Sequence, residues 1–199
     1  GALAVGFFLG SMAAAGIWIL MTGRSVFTME TDILNPKYAD AIRVMQLVST
    51  FIIFFLPAWA AAAVINRKPF KLLGFNRYFT ARQAGITILI CLATLPLVGA
   101  LAELNQMIPL TPSLAAKFKA LEDSYEEQVK VLSKISGVGE YVLSLLIMAI
   151  APAIFEETFF RGGLQQYLQK ITKNPWIAIG VTSIIFSAIH FSFYGFIPR

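Results

Sequence analysis

Five apolar stretches, each about long enough to cross a lipid bilayer as a helix, constrain the fold of this chain more than any other feature. A helix needs about 20 apolar residues to cross the hydrocarbon layer, and in lipid only helices and closed barrels satisfy every backbone polar group. We therefore predict an all-α, multi-pass transmembrane helix bundle that forms a single membrane domain over residues 1–199. The predicted spans cover about residues 3–21, 44–65, 83–102, 141–160 and 176–197.

Composition and charge agree with a membrane protein. The chain is 57% hydrophobic and 14% charged, whereas soluble domains are about 25% charged. The net charge is +5, but the basic residues form no aromatic-interleaved basic face, so no nucleic-acid partner is expected. Residues 66–82 carry several basic side chains and no acidic one, which by the positive-inside rule places this loop in the cytoplasm. We expect an integral protein of a bacterial inner membrane, with membrane lipids as partners.

One amphipathic helix is predicted outside the membrane, over about residues 113–135. Its apolar residues recur at spacings of three and four, with Lys and Glu between them: Leu114, Phe118, Leu121, Tyr125, Val129 and Leu132. Such a helix rests its apolar face on the membrane surface or on other helices. In the first span, Gly6 and Gly10 have the small-xxx-small spacing of close helix contacts, and we expect them to serve packing within the chain.

The fourth span carries two adjacent acids, Glu156 and Glu157, after a run without charge. Such groups are costly at membrane depth and mark functional sites by default. Glu157 and Arg161 have the i, i+4 spacing with the acid first, which favours an ion pair. Glu156 has no basic residue at that spacing, so we expect it to serve chemistry, with Gly163 on its face admitting another backbone. The alternative is that these charges merely end a span at the lipid headgroups.

The fifth span holds the only histidine, His190, with Ser183 and Ser187 predicted on the same stripe of the helix and Phe186 beside the ring. A lone histidine on an apolar helix is often a hydrogen-bonded structural residue. Together with the acids of the preceding span, it indicates a site in which a carboxylate and an imidazole on neighbouring antiparallel helices share a water. Pro152, four residues before Glu156, predicts a kink there.

Both motifs carry a resemblance to a known family. Glu156-Glu157-xxx-Arg161 followed by Phe186-xxx-His190 resembles the first two motifs of the CPBP family. These are the CAAX-protease and bacteriocin-processing intramembrane proteases, also called the Abi family, which include the type II CAAX prenyl endopeptidases. The resemblance implies that Glu156 and His190 are catalytic and activate a water that attacks a peptide carbonyl within the membrane. It implies supporting roles for Glu157, Arg161 and Phe186.

The resemblance covers residues 147–196 and has further implications. A third family motif, a His and an Asn four residues apart on a later helix, stabilises the oxyanion. Because this sequence has one histidine, we expect the gene product to continue beyond Arg199 for two or three helices that include the third motif. The family is commonly classed with metalloproteases, so a divalent metal such as zinc is a candidate cofactor, with Glu156, Glu157 and His190 as candidate ligands. We prefer a water activated by the acid and the histidine.

Three classes of function therefore stay open. The first is an intramembrane endopeptidase, whose substrate would be a membrane-embedded or membrane-anchored peptide. The second is a transporter or proton-relay protein, because buried Glu, Arg and His also mark ion paths. The chain has no internal repeat of the kind that many transporters show. The third is a non-catalytic membrane partner or bacteriocin-immunity-type protein of the same fold.

Overall fold

The computed structural model of the chain describes residues 2–76, 78–133 and 137–198, and no strand occurs among them. The chain there forms six long helices: α1 (Ala2–Thr22), α2 (Pro36–Ile65), α3 (Ala81–Gln106), α4 (Pro112–Leu132), α5 (Val138–Thr172) and α6 (Pro175–Ala188). Short helical turns lie between them at Val26–Thr28, Met29–Asp32 and Pro69–Leu72. The predicted all-α membrane bundle with an amphipathic helix is confirmed. Arg77 of the basic loop and residues 134–135 of the predicted amphipathic helix lie outside the described residues.

Helix lengths match the predicted spans with two differences. The helices α1, α2, α3 and α5 are long and apolar enough to cross a membrane. The helix α5 continues to Thr172, beyond the predicted end near residue 160, because Gly162 and Gly163 lie within it without ending it and the next proline is Pro175. The helix α6 has 14 residues and ends at Ala188, well before the predicted end at residue 197. At 1.5 Å per residue it is about 21 Å long, which is shorter than the hydrocarbon layer of about 30 Å.

By packing, the chain divides into two units, Gly1–Gly74 with Tyr125–Tyr167, and Phe75–Ser124 with Leu168–Arg199.

The core of the first unit is centred on Trp18, which is completely buried and packs with Ile42, Met45 and Leu132. The indole Nε1 donates a hydrogen bond to the Ser25 carbonyl at 3.1 Å, so the ring is satisfied although it is buried. Contact among these four buried side chains holds α1, α2 and the last turn of α4 together.

Two glycines let α1 approach α2, as the small-xxx-small spacing predicts. A Cβ on Gly6 would lie 2.9 Å from the Ile53 carbonyl oxygen, and one on Gly10 would lie 2.7 Å from the Ile53 side chain. Real Cβ contacts are essentially never that short, so a larger residue at Gly6 would have to displace backbone, and one at Gly10 would have to displace the Ile53 side chain. The prediction that both glycines serve packing within the chain is confirmed.

Two prolines, Pro57 and Pro152, each follow a π-helical turn. The Leu56 N–H bonds to the Phe51 carbonyl, five residues back, and the same i to i−5 bond occurs just before Pro152. A proline ring clashes with the carbonyl four residues earlier in an α-helix, and the wider turn makes room for it. Local disturbance of the helix at Pro152 was predicted, and it takes the form of this π-helical turn.

Arg43 is the buried charge of the first unit, with 3% of its side chain exposed. Its guanidinium donates to the Leu132 carbonyl at 2.8 Å and to Asp40 at 2.9 Å, and Glu140 lies 3.5 Å away. A buried guanidinium needs such acceptors, because an uncompensated charge in a low dielectric is costly. Arg43 thereby ties the start of α2 to the end of α4 and the start of α5.

The second unit contains α3, the first half of α4 and α6. The helix α3 starts with a capping box between Thr80 and Gln83. Asn174 precedes α6 and caps its start, because its side chain accepts from the backbone N–H groups of Trp176 and Ile177. Both starts follow from ordinary helix-capping chemistry.

Candidate active site

Glu156 and Glu157 end the α-helical stretch Ala151–Glu157 of α5, and a π-helical stretch, Thr158–Gln165, follows at once. Glu157 Oε1 lies 2.9 Å from Arg161 Nη1, so the predicted ion pair is confirmed. The two side chains are 57% and 41% exposed, respectively. Glu156 is half-buried, which distinguishes its surroundings from those of Glu157.

Backbone contact next to the motif occurs at Gly162 and not at Gly163. A Cβ on Gly162 would lie 2.6 Å from the Leu73 carbonyl oxygen. A Cβ on Gly163 would meet only the Thr158 carbonyl of the same helix, at 3.7 Å. The prediction for Gly163 is therefore wrong. It assumed α-helical spacing, and within the π-helical stretch residues seven apart no longer share a face.

Phenylalanine rings hold the motif segment against α2. Phe54 contacts Phe159 and Phe160 with ring centroids 5.8 Å and 5.7 Å apart. Phe155 contacts Phe51 and Phe55 at 5.4 Å and 5.6 Å. Edge-on and tilted geometries of this kind add to the free energy gained by burial. Sequence analysis missed this cluster, although the spacing of Phe51, Phe54 and Phe55 puts them on one face of a helix.

His190 lies just beyond the end of α6 and is half-buried. Its backbone N–H bonds to the Ser187 carbonyl at 3.3 Å, three residues back. In a continuing α-helix this N–H would bond to the Phe186 carbonyl. That carbonyl instead accepts from the His190 ring, with Nδ1 at 2.7 Å, and the Phe186 and His190 rings are in contact at 4.7 Å, as predicted.

This hydrogen bond determines the tautomer of the imidazole. A carbonyl oxygen can only accept, so in the neutral imidazole Nδ1 carries the proton and Nε2 keeps a lone pair. Within its own unit, the described residues offer Nε2 no hydrogen-bond partner. The arrangement leaves Nε2 able to accept a proton or a hydrogen bond from a water.

The predicted stripe of Ser183, Ser187 and His190 differs from the structure. Ser187 is 4% exposed, whereas Ser183 is exposed. Because α6 ends at Ala188, the helical spacing on which the prediction relied does not reach His190.

A turn in an uncommon backbone conformation follows the histidine. Phe191 has φ = 50°, in the left-handed region that non-glycine residues seldom adopt. Holding a bulky residue there costs on the order of 1–3 kcal/mol and requires surrounding contacts that enforce it. The residues that follow are held by Asn105 on α3, which bonds to Phe193, and by Glu122 on α4, which bonds to Ser192; no sequence pattern indicated these contacts.

The candidate metal ligands are only partly available. Within each unit, the described residues include no group of three His, Cys, Asp or Glu side chains placed to hold a metal ion. Of the candidates, Glu157 is engaged with Arg161. Glu156 and His190 belong to different units, so their meeting in one cavity stays a prediction.

Comparison with known families identifies the part of the chain that contains both motifs. Residues 138–198 match the family model described as type II CAAX prenyl endopeptidase Rce1-like. Neither the comparison with curated proteins nor the comparison with solved structures found a match. The matched residues include all of α5 and α6 and the turn after His190. Residues 138–198, which contain both motifs, are thus similar to the type II CAAX prenyl endopeptidase family, the family that the motifs predicted.

Proposed function

We propose that the protein is an intramembrane endopeptidase in which Glu156 and His190 activate a water. The observation that carries the proposal is the family match, because residues 138–198 contain both of these side chains. The hydrogen bond from His190 Nδ1 to the Phe186 carbonyl supports it, since it leaves Nε2 as an acceptor.

In the proposed reaction, the water is held between the Glu156 carboxylate and His190 Nε2. The carboxylate takes a proton from the water as its oxygen forms a bond to the peptide carbonyl carbon. The resulting tetrahedral intermediate collapses when the C–N bond breaks and the leaving nitrogen receives the proton. Glu157 and Arg161 support the site by keeping each other paired, and Phe186 by accepting the imidazole proton in a hydrogen bond.

We propose no step through a metal. A catalytic zinc usually takes three protein ligands. Of the three candidate ligands, Glu157 is paired with Arg161 at 2.9 Å, which leaves Glu156 and His190. Two ligands are too few for such a site.

The proposed substrate is a membrane-embedded or membrane-anchored peptide, for which a prenylated C-terminal peptide is the first test compound. The proposed location is a bacterial inner membrane, with the basic loop 66–82 on the cytoplasmic side beside anionic lipid headgroups. Exposed Arg67, Lys68 and Lys71 support this orientation, since cytoplasmic loops are enriched in basic residues.

Reconstitution tests the proposal. The full-length protein is placed in liposomes with a prenylated peptide, and products are identified by mass spectrometry. The protein should release the C-terminal fragment, and Glu156→Gln and His190→Gln should each reduce kcat by at least about 10²-fold. Glu126→Gln serves as the control, because this exposed acid of α4 lies outside residues 138–198 and the change should leave the activity intact. Unchanged cleavage by the Glu156 and His190 variants would refute these catalytic roles.

A further inference from the structure

The chain after His190 is anchored to the end of α3 by a buried asparagine. Asn105 is 1% exposed. Its Nδ2 donates to the Phe193 carbonyl at 2.7 Å, and its Oδ1 accepts from the Ile197 N–H at 3.2 Å. One amide side chain therefore fixes two points of the segment 191–198, hereafter the post-histidine segment.

A second set of contacts anchors the same segment to α4. Ser192 Oγ donates to Glu122 Oε2 at 3.1 Å and accepts from the Gly195 N–H, also at 3.1 Å. The Phe193 ring stacks on Phe118 with centroids 5.0 Å apart and planes 19° apart. Residues 192–197 are thus held from two helices.

These contacts bear on the imidazole because its hydrogen bond depends on where α6 ends. In the structure the Phe186 carbonyl accepts from the His190 ring, while the backbone N–H of His190 is turned to Ser187 and does not compete for that carbonyl. That turn, with Phe191 in the left-handed region next to it, is where the chain leaves the helix. If the post-histidine segment were released, α6 could add a turn, and the His190 N–H would then take the Phe186 carbonyl.

We propose that Asn105 is a positioning residue for His190. By holding the post-histidine segment, it keeps the Phe186 carbonyl for the imidazole Nδ1–H and so keeps Nε2 as the acceptor. The proposal rests on the proposed function for its catalytic consequence, but the effect on the tautomer is independent of it. Glu122 also helps to hold the post-histidine segment, because it accepts a hydrogen bond from Ser192.

The chain has a single histidine, so its tautomer can be read directly. The chain is labelled with ¹⁵N-histidine, placed in detergent micelles above neutral pH, and examined by long-range ¹H–¹⁵N correlation. The unsubstituted protein should show the Nδ1–H form. Asn105→Ala should convert the signal to a mixture that includes the Nε2–H form.

A matched control separates positioning from a general loss of stability. The side chain of Asn174 caps the other end of α6 by accepting from the Trp176 and Ile177 N–H groups, so Asn174→Ala should weaken the helix and leave the tautomer unchanged. If Asn105→Ala fails to fold, Ser192→Ala removes the link to Glu122 and should cause a smaller shift in the same direction. A tautomer unchanged in every folded variant of Asn105 and Ser192 would overturn the proposal.

Cleavage assays supply the second readout. In the full-length protein, Asn105→Ala should lower kcat by up to about 10²-fold and leave KM nearly unchanged, as expected when a reacting group is misplaced. If Glu156→Gln abolishes cleavage but Asn105→Ala changes neither tautomer nor kcat, this inference alone fails. If Glu156→Gln leaves cleavage intact, the proposed function fails, and the tautomer of the Asn105 variant still decides whether Asn105 positions His190.

Discussion

Gly162 provides the sharpest test of how the motif segment is packed. Substitution to alanine adds one methyl group at the point where the Leu73 carbonyl approaches α5. The added Cβ would lie 2.6 Å from that oxygen, about 0.8 Å closer than the 3.4 Å at which ordinary contacts begin. The obstacle is backbone, so a rotamer change cannot remove it, and the loop or the helix must move.

The change in the free energy of unfolding caused by Gly162→Ala is the sum of two opposed effects. Overpacking a close contact costs about 1–3 kcal/mol. Replacing glycine by alanine inside a helix stabilises it by about 0.5–1 kcal/mol. Gly163 has only its own helix within 4 Å, so Gly163→Ala should show the second effect alone. Because both glycines lie in the same π-helical stretch, the difference between the two variants isolates the steric cost of about 1–3 kcal/mol.

Thermal unfolding in detergent micelles measures this difference. For a chain of about 200 residues, each kcal/mol shifts Tm by about 2–4 °C. We expect Gly162→Ala to unfold about 2–12 °C below Gly163→Ala. Equal Tm values for the two variants, or a more stable Gly162→Ala, would refute the contact between Gly162 and the Leu73 carbonyl.

Three other substitutions test charged groups of the first unit. Glu157→Gln should lower stability by no more than about 1 kcal/mol, because both partners of its ion pair with Arg161 are substantially exposed; a Tm loss as large as that of a core truncation would contradict this. Arg43→Leu should lower the free energy of unfolding by about 1–3 kcal/mol, since it leaves the Leu132 carbonyl without its donor. Asp40→Asn should lower it by less, because Asp40 is 79% exposed. If chemical denaturation gave equal losses of unfolding free energy for Arg43→Leu and Asp40→Asn, Arg43 would act only through Asp40.

Features that depend on local periodicity could be predicted from sequence. Four of the five apolar runs correctly predicted helices long enough to cross a membrane, and the spacing of Glu157 and Arg161 predicted their ion pair. The spacing of Gly6 and Gly10 predicted close packing within the chain. Each depends only on residues a few positions apart in a regular helix.

Features that depend on departures from regular helix could not be predicted. The wide turns around Pro152 and after Glu157 shift the face of every later residue, which is why Gly162 and not Gly163 meets Leu73. The end of α6 is set by distant partners, because Asn105 is more than 80 positions from the segment it holds. No pattern within α6 itself carries that information.

The central claim is that Glu156 and His190 act on one water, and a proximity measurement tests it most directly. Cys91, the only cysteine of the chain, is replaced by serine, and Glu156→Cys is combined with His190→Cys in native membranes. A bifunctional thiol reagent with a reach of about 6 Å, the span of one bridging water, is then applied. Glu157→Cys with His190→Cys is the matched control, because adjacent residues of an α-helix point about 100° apart. Our account predicts efficient cross-linking from position 156 and little from position 157, and cross-linking from position 157 alone would contradict it.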